Sequence, residues 1–144
     1  MANEAGRGAG LAALVVLLCG CSPEPDDKAR ILHTIDAMTE AVEQGDVADF
    51  MAPVADDFVA VNGRLDRRAL GLLVRRERLA RDSIRIRRVD TEVELVGESR
   101  ATASFRALAT GGSGLLPDEG RFWRVETGWR RDGDEWELIS AGWE

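Results

Sequence analysis

The sequence has no tyrosine, a single histidine and two cysteines, and each shortage removes a class of chemistry. Without tyrosine there is no phenolic hydroxyl to act as a proton or oxyanion donor. With His33 as the only imidazole, a histidine-rich metal site is excluded, and a histidine–aspartate pair would have to be built around that one residue. Cys19 and Cys21 both lie near the start, so nothing remains downstream for a disulfide framework or a cysteine zinc site. Positive charge is in deficit as well. The 144 residues carry a formal net charge of −7, which gives no general electrostatic case for nucleic acid. Internal repeats and long low-complexity tracts are missing too, and no motif calls for a metal or cofactor. What remains is a chain of one-domain length with ordinary apolar content.

Residues 1–20 have the parts of an export signal: a polar start with Arg7, an apolar run from Gly10 to Leu18, and small residues before a cut. The run is shorter than the roughly 20 residues that a membrane-crossing helix needs. Leu18-Cys19-Gly20-Cys21 resembles the lipobox of bacterial lipoproteins, in which a small residue precedes a cysteine that is lipidated and becomes the mature N-terminus. Cys21 fits that position, and Cys19, preceded by bulky Leu18, does not. The expected organisation is a signal peptide over 1–20, a lipidated Cys21 with a tether over 21–27, and a domain over 28–144. The tether Ser22-Pro23-Glu24-Pro25-Asp26-Asp27, extended at roughly 3.1 Å per residue, reaches on the order of 20 Å and would hold the domain near a membrane. Ser22 after the cysteine resembles the sorting pattern for the periplasmic face of the outer membrane.

From Lys28 to Gln44, Ile31, Ile35, Met38 and Val42 recur at helical spacing, with Asp26 and Asp27 favouring the N-terminal end and Gly45 supplying a stop. His33 points away from this stripe, towards solvent. Asp46 is placed to cap a short second helix with Val47, Phe50 and Met51, ended by Pro53. Val54 to Val61 reads as a helix end followed by a short strand anchored on Phe58, and Asn62-Gly63 as a turn. Asp66 caps a third helix running to about Arg81. On it Leu70, Leu73 and Val74 form one stripe, while Leu72 and Leu79 form another. Either the helix is covered twice or one stripe is a partner surface. Ten arginines between Arg64 and Arg88 face only Asp66, Glu77 and Asp82 in that stretch. They are either a solvated face paired with carboxylates elsewhere in the domain, or, through Arg75, Arg76 and Arg78, a surface for anionic lipid or an acidic partner.

Beyond Asp82 the period becomes two. Ile84 and Ile86 alternate with arginines, then Thr91, Val93 and Leu95 with acids; the change of parity predicts a bulge near Arg87-Arg88. Ala101, Ala103, Phe105 and Ala107 form a second alternating set, and Gly111 to Gly120 reads as a glycine-rich connection, a rim loop or a lid. All four tryptophans fall in a closing hairpin around Asp132-Gly133, with Trp129 expected opposite Trp136, Thr127 beside Leu138 and Val125 beside Ser140. On that register the inward list, Trp123, Val125, Thr127, Trp129, Trp136, Leu138 and Ser140 with the strand partners above, carries no charge. A slip of one residue would turn Arg106, Arg124, Glu126 and Glu137 inward, at several kcal/mol for each unpaired buried charge. The other face keeps Ile139, Ala141 and Trp143, a candidate homodimer or partner surface.

The layout is α+β: three N-terminal helices packed on a strongly curved antiparallel sheet. This order, with Ala52-Pro53-Val54-Ala55-Asp56-Asp57-Phe58-Val59, the Asn62-Gly63-Arg64-Leu65-Asp66 turn and cap, and Gly128-Trp129-Arg130 followed by Trp136-Glu137-Leu138-Ile139-Ser140-Ala141, resembles the nuclear transport factor 2-like superfamily. The resemblance implies a cone whose bent sheet wraps the first helix around a pocket, often in a dimer formed through the sheet. Its enzymes use tyrosine, histidine or aspartate inside the cone, and many members have no known activity. Met38, Phe58, Phe105, Trp123, Trp129 and Trp136 are the pocket candidates. A base for a lyase, isomerase or hydrolase of an apolar molecule would have to be Asp57 or Asp36. The expectation is a non-enzymatic, membrane-anchored envelope domain that binds a small apolar ligand or an envelope protein.

Overall fold

The computed structural model describes residues 26–60, 62–112 and 121–144, with the side chain of Arg121 left aside. The export signal, Cys21 and the stretch 113–120 of the glycine-rich connection lie outside the described residues. In chain order the elements are α1 (Asp27–Gln44), α2 (Val47–Met51), β1 (Val54–Ala60), β2 (Leu65–Asp66), α3 (Arg67–Leu79), β3 (Ser83–Val96), β4 (Arg100–Gly112), β5 (Arg121–Asp132) and β6 (Glu135–Trp143). They build one open, curved sheet in the order β2-β1-β6-β5-β4-β3. No helix among the described residues is long and apolar enough to cross a membrane.

Each helix starts on an aspartate whose carboxylate takes up a backbone N–H that would otherwise lack a partner. Asp26 accepts from Ala29 at 2.7 Å, Asp46 from Asp49 at 3.0 Å and Asp66 from Ala69 at 2.8 Å. Helix α1 ends at Gly45, whose φ of 83° is the left-handed geometry of a helix stop, and the Asp46 N–H reaches back to Ala41. Asp46 therefore closes one helix and opens the next.

Two features differ from the expected layout. Helix α3 follows β1 and β2 instead of preceding the sheet, so only two helices are N-terminal to it. The sheet is mixed: β1, strand throughout Val54–Ala60, runs parallel to the last strand β6. Local alternation cannot reveal that pairing, because the partners are about eighty residues apart in sequence.

The hairpin loop is Gly133-Asp134, one residue later than the sequence suggests. Asp132 pairs with Glu135, Arg131 with Trp136 and Trp129 with Leu138. Moving the loop by one residue displaces each cross-strand partner by two, so every side chain keeps its face. Trp129, Trp136, Leu138 and Thr127 are accordingly buried. Pairing then jumps from Trp129 and Leu138 to Gly128 and Ser140, leaving Ile139 as the extra residue of a bulge. A β-carbon on Gly128 would collide with the Ser140 side chain, so the bulge depends on that glycine. Beyond it the faces exchange: Ala141 and Trp143 pack on the core, and Ser140 turns to the convex side. The bulge of β3 falls between Val89 and Glu92, three residues beyond the expected Arg87-Arg88, with Asp90 at φ 54°. Gly111 and Gly112 continue β4.

The core lies between α1 and the concave face. Ile31, Ile35 and Met38 meet Phe58, Ala101, Ala103, Trp129, Trp136 and Leu138. Trp129, Phe58 and Ile31 are the largest fully buried side chains. The Trp129 indole N–H donates to Thr127 Oγ1 at 2.9 Å, and that hydroxyl donates to the Ala103 carbonyl at 3.0 Å. At the other end of α1, Asp27 accepts from Trp136 Nε1 and Arg131 Nη1, both at 3.1 Å, and so fastens the helix start to the hairpin tip. Among the described residues α1 and the sheet close a core of their own, so the 26–144 segment contains that core.

Thr127→Val keeps the shape but orphans the buried indole N–H, which costs about 1–3 kcal/mol. Urea unfolding of the 26–144 segment should show that loss, with Thr127→Ser retaining most of the stability. Equal stability of the valine variant and the parent would refute the role of the relay.

Candidate functional site

The concave side divides into a filled narrow end and an open wide end. Met38, Phe58, Trp129 and Trp136, four of the sequence-predicted pocket residues, fill the narrow end and are buried between 1% and 8% exposed. All four belong to the core cluster, and Met38 and Trp136 also line an open groove beside α1. Phe105 is half-buried beneath the Arg88 guanidinium, 5.5 Å from ring centroid to Arg88 Cζ. Trp123 alone of the six lines the open end.

That opening is a cavity of about 490 Å³ between the end of α1, α3 and the sheet. Val42, Leu73, Val74, Ile84, Trp123 and Trp143 supply an apolar wall. The volume is in the range of small-molecule sites. Its two charged members, Glu77 and Arg81, are ion-paired one helical turn apart, each side chain somewhat under 40% exposed. The Arg81 side chain crosses β4 at Gly111, where a β-carbon would collide with it. This glycine, read from sequence as part of a loop, is what lets an arginine lie along the cavity wall. Trp143 was expected on the outer face as a dimer contact; the Ile139 bulge puts it in the cavity instead, so a contact through the outer sheet face would have Ile139 without Trp143.

Two other depressions are more open. One of about 1110 Å³ runs between α1 and the β5–β6 turn, where His33 sits exposed as expected, and one of about 590 Å³ lies on the convex face beside Ser140 and Gly142. The first has apolar lining from Met38, Ala41 and Trp136 but mixes it with Arg30, Glu40, Asp49 and Glu137, and the second includes Arg124, Glu126 and Glu144, so both walls are more charged than that of the cavity.

The two candidate bases are held elsewhere. Asp36, on α1, is ion-paired to Arg88, which extends from the concave side of β3 with its side chain 14% exposed. Arg88 Nη1 is buried and has no partner among the described residues. Asp57 projects from the outer face of β1 and receives Arg130 Nη1 and Nη2 at 2.8 and 2.9 Å, while Glu137 shares the same guanidinium at 3.0 Å. Hydrogen bonding from Arg130 holds the Asp57 carboxyl below the usual carboxylate range, so it is a poor proton acceptor. Neither aspartate lines the cavity. The slipped register, with Arg106, Arg124, Glu126 and Glu137 turned inward, does not occur. Arg106 chelates Asp90, Arg124 meets Glu144, and Glu126 lines the convex-face depression.

The arginine-rich stretch splits in two. Arg67 bonds the Val54 carbonyl, Arg81 meets Glu77, Arg85 lies 3.7 Å from Glu43, and Arg88 takes Asp36. Arg78 packs against Gly45 with Nε and Nη1 buried, so it belongs to the α1–α3 junction and not to an exposed anionic-surface set. Arg75 and Arg76 are exposed. Among the described residues no cluster of three or more potential metal ligands occurs.

The fold is that of the nuclear transport factor 2-like, or cystatin-like, class. A nuclear transport factor 2-like protein of unknown function from Pseudomonas putida KT2440 is 24% identical, with 79% of this chain and 82% of that one covered at a TM-score of 0.66. A nuclear transport factor 2-like protein with a cystatin-like fold from Novosphingobium aromaticivorans is 17% identical over 81% and 80% of the two chains at 0.67. A Streptomyces avermitilis protein for which dehydratase activity has been suggested is 19% identical over 79% and 91% at 0.67. At these identities the likeness establishes the fold alone. No protein-family model and no curated protein sequence matches the chain.

Because Asp57 has a folded value depressed below its unfolded one, the stability its ion pair contributes is present above about pH 4 and is lost as pH falls through the lower folded value. Asp57→Asn should therefore lower Tm at pH 7, and the gap to the parent should narrow in a thermal series taken below about pH 4. The pair is exposed, so salt should also narrow the gap. A gap independent of pH would rule out the ionised pair as its cause.

Proposed function

We propose that the protein is a lipid-anchored protein of the bacterial envelope whose domain holds a small apolar molecule in the wide-end cavity, and that binding rather than turnover is its act. The observation that carries this reading is the cavity itself: about 490 Å³, walled by aliphatic side chains and two indoles, beside a filled core. An apolar wall of this size that no side chain among the described residues fills favours occupation by an apolar molecule. Binding is favoured over catalysis by the carboxylates: Asp36 and Asp57 are tied to arginines outside the cavity, and Glu77, which lines it, is neutralised by Arg81. The anchor reading rests on Gly20-Cys21 and the acidic, proline-containing tether; the outer-membrane address rests on Ser22.

A neutral fluorophore such as N-phenyl-1-naphthylamine, titrated into the 26–144 segment, should gain fluorescence and quench the tryptophans. Leu73→Trp fills the cavity and should weaken binding about tenfold or more while the fold is retained, the cost of overpacking being about 1–3 kcal/mol. Absence of binding by the parent, or unchanged binding by a folded Leu73→Trp, would remove the cavity as a ligand site. For the anchor, Cys21→Ser in the full chain should move the protein from the membrane to the soluble fraction of a bacterial host. Continued membrane retention would refute lipidation at Cys21.

A further inference from the structure

Helix α3 has a second, uncovered face. At about 100° per residue, Arg68, Leu72, Arg75, Arg76 and Leu79 fall within an arc of about 100°. Leu72 is 55% exposed and Leu79 is 83% exposed, and all three arginines are exposed. Among the described residues none of these arginines makes a hydrogen bond or ion pair, whereas Arg67, Arg81, Arg85 and Arg88 do. Glu77, the helix's only carboxylate, points to the cavity side and belongs to Arg81.

A face that only confers solubility mixes charges of both signs and pairs them at helical spacing. This one has cations, no anion, and two leucines about 10 Å apart along the helix axis. It is the convex outer side of a single helix, and none of its five residues lines the cavity or the two depressions. A bilayer interface suits this combination: leucines enter the boundary between headgroups and acyl chains, while guanidinium groups meet lipid phosphates with forked hydrogen bonds. We propose that the Arg68–Leu72–Arg75–Arg76–Leu79 face of α3 docks the domain on an anionic lipid bilayer. The docking requires no occupied cavity, since none of these five residues lines it, and it is proposed for the domain without Cys21. Its range is set by screening, so the association is electrostatic in approach and apolar in hold.

Flotation of the 26–144 segment, which lacks Cys21, with lipid vesicles tests this directly. Vesicles containing phosphatidylglycerol should carry the protein and pure phosphatidylcholine vesicles should not. Raising salt from about 0.1 M to about 1 M, which shortens the screening length from about 10 Å to about 3 Å, should release it. Arg68→Gln with Arg75→Gln and Arg76→Gln should weaken partitioning about a hundredfold. Leu72→Ser with Leu79→Ser should weaken it about tenfold at unchanged charge. No binding to the anionic vesicles, equal binding to the neutral ones, or full binding by the triple arginine variant would overturn the proposal. Binding that ignores the leucine changes, or that polyglutamate captures as well as vesicles do, would likewise overturn it and point to an acidic protein partner. All five positions are exposed, so the variants retain the core.

Discussion

The burial of Trp129 is the constraint on which the rest of the structure depends. An indole at 1% exposure must satisfy its N–H inside the protein, and Thr127 does so two residues away on the same strand face. That face of β5 therefore has to be the inner one, and β4 follows through the bond from Thr127 to the Ala103 carbonyl. The small side chains of Ala101 and Ala103 then leave room for Ile31, Ile35 and Met38 of α1 in the same cluster. The second tryptophan of the hairpin adds direction. Trp136 meets Asp27 in the first turn of α1, so the helix is pinned at its start to the tip of the last hairpin. Strand parity, helix placement and the closed narrow end follow from two indole N–H groups and their acceptors.

Much of this was legible because it is local. Aspartates before Ala29, Asp49 and Ala69 announce caps, and the cap geometry is fixed by three residues of chain. Alternation along β4 and β5 survives a misplaced turn, since moving the loop by one residue preserves which side chains face in. What failed was non-local or changed parity. The parallel pairing of β1 with β6 leaves no mark on either strand's pattern. The Ile139 bulge reverses the last residues of β6, which is why Trp143, on an outward count, lines the cavity. Asp57 and Asp36 looked available because their partners, Arg130 and Arg88, lie 73 and 52 residues away in sequence. Gly128 opposite Ser140 was the one sequence signal that could have revealed the bulge.

The distribution of charge follows from the sheet's open edge. β3 is a terminal strand, and an uncovered edge invites pairing with another chain. Here α1 supplies carboxylates to it: Glu43 accepts from the Ile86 backbone N–H at 2.7 Å and lies beside Arg85, and Asp36 takes Arg88. The arginines of β3 therefore hold the first helix across the edge strand and help to block edge-to-edge association. Their excess over the neighbouring acids is balanced by residues far back in the chain, so a charge count over a sequence window overstates the exposed positive field.

Helix α3 is where these demands meet. It has a single fully buried residue, Leu70, in its first half. Its second half is attached through Val74 on the core, Arg78 against the stop of α1, and the Glu77–Arg81 pair. Leu73 and Val74 on one side look onto cavity space, and Leu72 and Leu79 on the other look onto solvent. A helix with so little core behind it has its position set by what lies on its two sides. An apolar molecule in the cavity adds contacts to Leu73 and Val74, and a surface against Leu72 and Leu79 adds contacts to the opposite side. The two faces alternate along one short helix, so each contact bears on the same rigid body, and the same thirteen residues both bound the ligand space and present the outer surface.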